Sequence, residues 1–238
     1  MYPPTLDAGK LADRYDVLVF PDGAIPQNDR DQPDDFFGPP PPPETIPAEF
    51  RNRLGRVSVQ KTVPLLRQFL ADGGTIIAIG SSTGLGQHIG LPLASHLVLD
   101  GKPLPRSKFY VPGSLLQARI DTTRAVAYGI PGRVDVFFDN SPVFDLRPDA
   151  AAAGVRPVAW FESDHPLRSG WAWGQQYLKD GVAAVEAPIG DKGGKLLLFG
   201  PEILNRGQPH GTFKLFFNAV YLARATPAPQ AAAGTGSR

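Results

Sequence analysis

The sequence contains no cysteine, which excludes disulfides, thiolate metal ligands and a cysteine nucleophile. Charge of one sign is also lacking. Lysine and arginine total 24 against 23 aspartate and glutamate, a net +1, with no block of like charge, so neither nucleic acid nor an anionic membrane surface is implied as a partner. No apolar run approaches the roughly 18 residues that a membrane-spanning helix needs. The N-terminal stretch MYPPTLDAGKLADRYD has no apolar core behind a basic start, so it reads as neither signal peptide nor anchor, and a soluble chain is expected. Nothing in the sequence implies a cofactor.

Glycine and proline are abundant, at 26 each. The prolines are uneven: Pro39 to Pro43 form an unbroken run inside QPDDFFGPPPPPETIP. Without backbone donors this run cannot be helix or central strand, and a polyproline-II surface excursion within a Pro-rich loop over about 28–48 is expected. The end of the sequence, ATPAPQAAAGTGSR, is small and polar, giving a single domain over 1–224 and a disordered tail over 225–238.

Asp16-Val-Leu-Val-Phe20, closed by Pro21-Asp22-Gly23, reads as a buried parallel strand and its loop. Apolar residues at helical spacing from Leu54 to Ala71 predict a helix stopped at Asp72-Gly73-Gly74, and Thr75 to Ile79 predicts the next strand. Strand, helix and strand at this spacing form one right-handed crossover. The fold class that follows is α/β, with a doubly wound, mostly parallel, flavodoxin-like sheet. Short strands at Leu97–Leu99, Leu115–Ile120, Ala125–Tyr128, Val134–Phe138 and Val158–Phe161 make a β-rich insertion. A hairpin pairs Gly181–Ala187 with Lys195–Gly200, and a last helix over Gly211–Ala223 is expected to bury Phe213, Phe216, Phe217, Val220 and Tyr221.

Within IAIGSSTGLGQHIG, Gly80-Ser81-Ser82-Thr83-Gly84 matches the G-x-S-x-G pattern of a nucleophile elbow. The preceding strand and flanking glycines suit such an elbow, but Gly84, Gly86 and Gly90 leave a short, poor helix behind it. A serine nucleophile also needs a base, and His210 is the best placed of His88, His96, His165 and His210. This gives one reading, a serine hydrolase of Ser82 and His210. Asp22, Ser81, Ser82 and Glu202 should converge at the carboxyl edge of the sheet, as a small ligand pocket or as turn-tightening caps. Trp171 and Trp173 in GWAWG offer either a stacking surface for a sugar or a plug for a core or domain interface. Arg206 and His210, just ahead of the last helix, suit an anion or a carboxylate of a neighbouring domain.

The strand ending at Gly80, with the late strand ending Leu198-Phe199-Gly200-Pro201-Glu202, resembles the class I glutamine amidotransferase fold, in which a cysteine occupies the elbow and the late strand ends F-H-P-E. In that likeness Ser82 stands at the elbow, Gly200 replaces the histidine and Glu202 remains, so the catalytic triad is vestigial. More specifically, RYDVLVFPDGAIP, ADGGTIIAIGSST, KFYVPGSLLQARID, VDVFFDNSPVF, GWAWG and LLLFGPEILNRGQPHGTFKLFFNAVY together resemble the amidotransferase-like C-terminal domain of certain large bacterial zinc carboxypeptidases of the carboxypeptidase A superfamily.

That resemblance implies a non-catalytic accessory domain whose partner is a peptidase catalytic domain, in cis or in trans, and parent proteins that are exported or periplasmic. The zinc motif of the parent family, H-x-x-E, is missing: the four histidines are followed three places on by Leu91, Leu99, Arg168 and Phe213, so no metal site is expected in this chain. A saccharide- or peptidoglycan-binding module, holding a small-molecule or glycan ligand at the strand ends, is the further alternative.

Overall fold

Thr75-Ile-Ile-Ala-Ile79 and Gly194-Lys-Leu-Leu-Leu-Phe199 carry apolar side chains at consecutive positions, a pattern that only a strand covered on both faces can bury. The computed structural model, which describes residues 1–27 and 41–223, places them side by side in a mixed sheet. Among the described residues the strands are β1 (Val17–Phe20), β2 (Thr75–Ile79), β3 (Leu93–Ser95), β4 (Val98–Leu99), β5 (Lys102–Pro103), β6 (Ser114–Ile120), β7 (Arg133–Phe138), β8 (Phe144–Leu146), β9 (Arg156–Trp160), β10 (Leu167–Ser169), β11 (Val182–Ile189) and β12 (Gly194–Phe199). The helices are α1 (Pro3–Asp7), α2 (Thr62–Ala71), α3 (Leu85–His88) and α4 (Phe213–Tyr221).

The main path of the sheet is β1-β2-β12-β11-β9-β6-β10. β2 pairs in parallel with β1 on one side and with β12 on the other. From β12 onward the pairings are antiparallel, through β11, β9 and β6. The β-rich insertion therefore extends the same sheet; β7 adds to β6, and β8 bridges β11 and β3. The class is α/β, as the crossover pattern predicts.

Alternation along β2 and β12 divides the core into two layers. Ile77, Ile79, Leu197 and Phe199 face one layer with Leu215 and Ala219 of α4. Ile76, Ala78, Leu196 and Leu198 face the other with Leu66, Phe69 and Leu70 of α2. Each fully buried Leu or Ile stabilises the fold by about 1.5–3 kcal/mol relative to exposure. β6 instead alternates buried and half-buried positions, as a one-sided strand does.

Several expectations are corrected. α2 begins at Thr62 rather than Leu54, because Pro64 lacks a donor and is tolerated only in a first turn. Ala125–Tyr128 is no strand: Ala125–Ala127 form a 3-10 turn. There Asp121 Oδ1 accepts from the Thr123 N–H and hydroxyl and coils the chain locally. α4 buries Leu215 and Ala219, whereas Phe217 is 50% and Tyr221 79% exposed. Of the expected polyproline-II run, Pro39 and Pro40 lie outside the described residues; Pro42 takes φ −55°, ψ 137°, close to that conformation, and Pro43 opens a 3-10 turn, Pro43–Thr45. The tail expected at 225–238 is also outside them.

Candidate functional site

β2 hands its chain to a 3-10 turn, Gly80–Gly84, followed by the four-residue α3. Gly80 takes φ +59°, and a Cβ there would lie 2.4 Å from Asp22 Oδ1. Both the left-handed backbone and the close carboxylate require glycine. A nucleophile elbow exposes its nucleophile at the strained residue of such a turn. Here that residue is Gly80, and Ser82 lies two positions further on, fully buried beneath it.

The Ser82 hydroxyl is occupied on all sides. It donates to Pro21 O at 2.6 Å and accepts from Ala24 N–H at 3.0 Å and Ile25 N–H at 3.1 Å. One proton and two lone pairs are all that a hydroxyl has. Ser81 does related work one step outward. Its N–H and hydroxyl both donate to Asp22 Oδ1 at 2.6 Å, and its Oγ accepts from Gly23 N–H at 2.8 Å. His88 Nε2 contacts Pro26 O at 2.7 Å; a carbonyl only accepts, so the proton sits on Nε2. The turn and α3 thus clamp residues 21–26, the loop leaving β1.

No histidine is among the hydrogen-bond partners of Ser82. His210 is exposed, its Nε2 lies 3.2 Å from Arg206 O and its ring packs on Phe213. His96 lies between Asp145, at 2.6 Å, and Lys179 O. His165 is exposed beside Asp164. At position 200 an added Cβ would fall 1.9 Å from Pro142 O, so the backbone there admits no side chain at all.

Glu202 is held beside β7 by its N–H, which donates to Phe137 O at 3.0 Å. Burial, and then the negative charges of Asp22 and Asp139, raise its pKa above the ordinary 4.5. Asp22, Ser81 and Glu202 therefore do meet at the sheet's carboxyl edge. Trp171, Trp173, Arg206 and His210 do not join them. Trp171 is 54% exposed and makes an edge contact with Tyr110, and Trp173 is 55% exposed, with Nε1 donating to Ser107 O. Neither plugs a core.

Next to Ser81 opens a cleft of about 540 Å³. Gln27, Gln87, Ser95, Asn140 and Arg106 supply its polar rim, over an apolar wall that includes Leu97, Leu104 and Phe109. Arg106 also lies 4.9 Å over the Tyr110 ring, which in turn touches Trp171. Of the residues expected at the strand ends only Ser81 lines this cleft. The rim comes from segments far apart in sequence, Gln87 from α3, Ser95 from β3 and the others from loops, and no local pattern marks it; Gln87 alone of these five sits inside the glycine-rich stretch. Among the described residues no group of three or more His, Cys, Asp or Glu could hold a metal ion, and no helix is long and apolar enough to cross a membrane.

No protein-family profile matches the chain, and no curated protein sequence matches it. Solved structures do show likeness in shape. A chain of PurLQS from Thermotoga maritima aligns with TM-score 0.48 at 11% identity, over 93% of this chain and 95% of that one. A GMP synthase-like chain from Thermoplasma acidophilum aligns with TM-score 0.42 at 11% identity, over 69% and 67%. A β-galactosidase from Bacillus circulans aligns with TM-score 0.39 at 10% identity, over 67% of this chain but only 20% of its own length. At these identities and TM-scores the likenesses bear on no activity. By its own architecture the chain is an α/β domain with a tightly clamped turn at the end of its central parallel strand.

Proposed function

We propose that this chain is a non-catalytic accessory domain, built on an amidotransferase-like frame, that works by contact with a partner. One observation carries the reading: the Ser82 hydroxyl makes three internal hydrogen bonds and is fully buried, so it has neither the freedom nor the base that acyl transfer needs. The glycine at position 200, where a Cβ would strike Pro142 O, adds to it. The serine hydrolase reading loses support for the same reasons.

The partner in this proposal is the catalytic domain of a zinc carboxypeptidase-type metallopeptidase, in cis or in trans. Its support is the set of sequence motifs that resemble that family's C-terminal domain. Half-exposed Trp171 and Trp173 suit a surface that another domain covers. The test is to mix the purified chain with a separately expressed peptidase domain of that family and follow the mixture by size-exclusion light scattering. A 1:1 complex weakened by Trp171→Ala is expected; no complex at concentrations up to roughly 100 micromolar would remove the peptidase from the proposal.

A second reading is favoured by the cleft beside Ser81. Its rim of amides and hydroxyls over an apolar wall suits a saccharide or cell-wall fragment bound without reaction. Saturable calorimetric binding of such a fragment by the free chain, lost in Gln87→Ala, supports this reading over the peptidase contact.

A further inference from the structure

The opposite edge of the sheet holds a second cavity, of about 410 Å³, walled by β9, β11, β12, α4 and the 3-10 turn Ala125–Ala127. Lys195, which lines it, pairs with Thr75 at the start of β2, whereas Ser81 lies beyond that strand's other end. Three cations line this cavity, Arg124, Arg156 and Lys195, against one carboxylate, Glu186. Glu186 is paired with Arg124. Asp121 also feels the Arg124 charge, but its carboxylate is already bonded to Thr123 and does not line the cavity.

The other two cations have no carboxylate partner among the described residues. Lys195 Nζ donates to Leu222 O at 2.9 Å, and Arg156 Nη1 donates to Ala151 O at 2.8 Å and Val155 O at 3.3 Å. These carbonyls take hydrogen bonds without neutralising charge. Arg124 Nε is buried with no acceptor, and an unsatisfied buried donor is a costly group that a native structure seldom keeps without use. Beside the charges lies an apolar floor of Val126, Leu197 and Ala219.

We propose that this cavity binds a small amphipathic anion: a phosphate monoester or carboxylate whose apolar body, of several carbon atoms, rests on Val126, Leu197 and Ala219. The charge excess selects an anion and leaves a cation excluded. Arginine and lysine bond such oxygens by charge-assisted hydrogen bonds, which are stronger than neutral ones. The apolar floor distinguishes the ligand from a free inorganic ion.

The full chain should be titrated by calorimetry with inorganic phosphate, phenyl phosphate and benzoate. Phenyl phosphate or benzoate is expected to saturate at 1:1 and to bind at least about tenfold more tightly than inorganic phosphate, and whichever binds identifies the headgroup. Arg156→Gln and Lys195→Met should each weaken that binding by about tenfold or more, with unchanged circular dichroism. Two variants are needed because Lys195→Met also frees the Leu222 carbonyl, whereas Arg156 is exposed. No saturation by either organic anion, equal binding of inorganic phosphate, or full binding by both folded variants would overturn the proposal.

Discussion

Ser82 shows how a motif can keep its spacing while its hydroxyl is committed to internal hydrogen bonds. The G-x-S-x-G spacing demands small residues around a sharp turn, and that demand is met here, but the strained position is Gly80. The serine then acts as a clamp on residues 21–25. Removing its hydroxyl orphans the Ala24 and Ile25 N–H groups and frees Pro21 O. Ser82→Ala is therefore expected to cost about 2–4 kcal/mol in urea unfolding, and the more exposed Ser81→Ala about 0.5–1.5 kcal/mol. Equal, negligible costs would show that the clamp has no weight. The motif is legible in the sequence and its partners are not, because Pro21, Ala24 and Ile25 lie far back along the chain and backbone groups leave no mark in a residue pattern.

At the scale of elements, legibility follows the range of the interactions. β1, β2, the β11–β12 hairpin and α2 carry their signals locally, as apolar runs, turn residues and helical spacing. The start of α2 is obscured because apolar residues before Pro64 continue the pattern into a segment that cannot be helix. α4 misleads differently. Its aromatic content suggests a wide buried face, yet the two positions of closest approach, Leu215 and Ala219, take the core, and Phe217 and Tyr221 point outward. Leu215→Ala should thus cost about 2–5 kcal/mol, as deleting a buried leucine side chain does. Phe217→Ser should stay within about 0.5 kcal/mol. A thermal unfolding series on the two variants checks the assignment, and reversed magnitudes would restore the sequence-based face.

For the molecule as a whole, the carboxyl edge of the sheet and its opposite edge differ in charge. Asp22, Asp139 and Glu202 gather at the first, and Arg124, Arg156 and Lys195, with Glu186 as the one carboxylate, line the cavity at the second, so a net charge of +1 conceals local clusters of opposite sign. The acidic end makes folding depend on pH. Because the folded Glu202 pKa is raised, the folded state holds its proton more tightly than the unfolded chain; stability is fully present below the unfolded value of 4.5 and falls as pH rises through the folded one. Glu202→Gln is expected to match the native chain in acid and to exceed it in stability at neutral pH, read from paired urea titrations at the two pH values. A variant less stable than the native chain at neutral pH would show that the carboxylate is favourably held instead. This opposition of charges is invisible in composition, since it arises only when β1, β2, β7, β9, β11 and β12 are brought into one sheet.

In the proposed non-catalytic role Ser82 is a structural serine. That role is tested most directly by incubating the native chain with a fluorophosphonate and locating any adduct by peptide mass spectrometry. Ser82 is expected to stay unmodified at concentrations and times that saturate a known serine hydrolase. A stoichiometric adduct on Ser82 would contradict it.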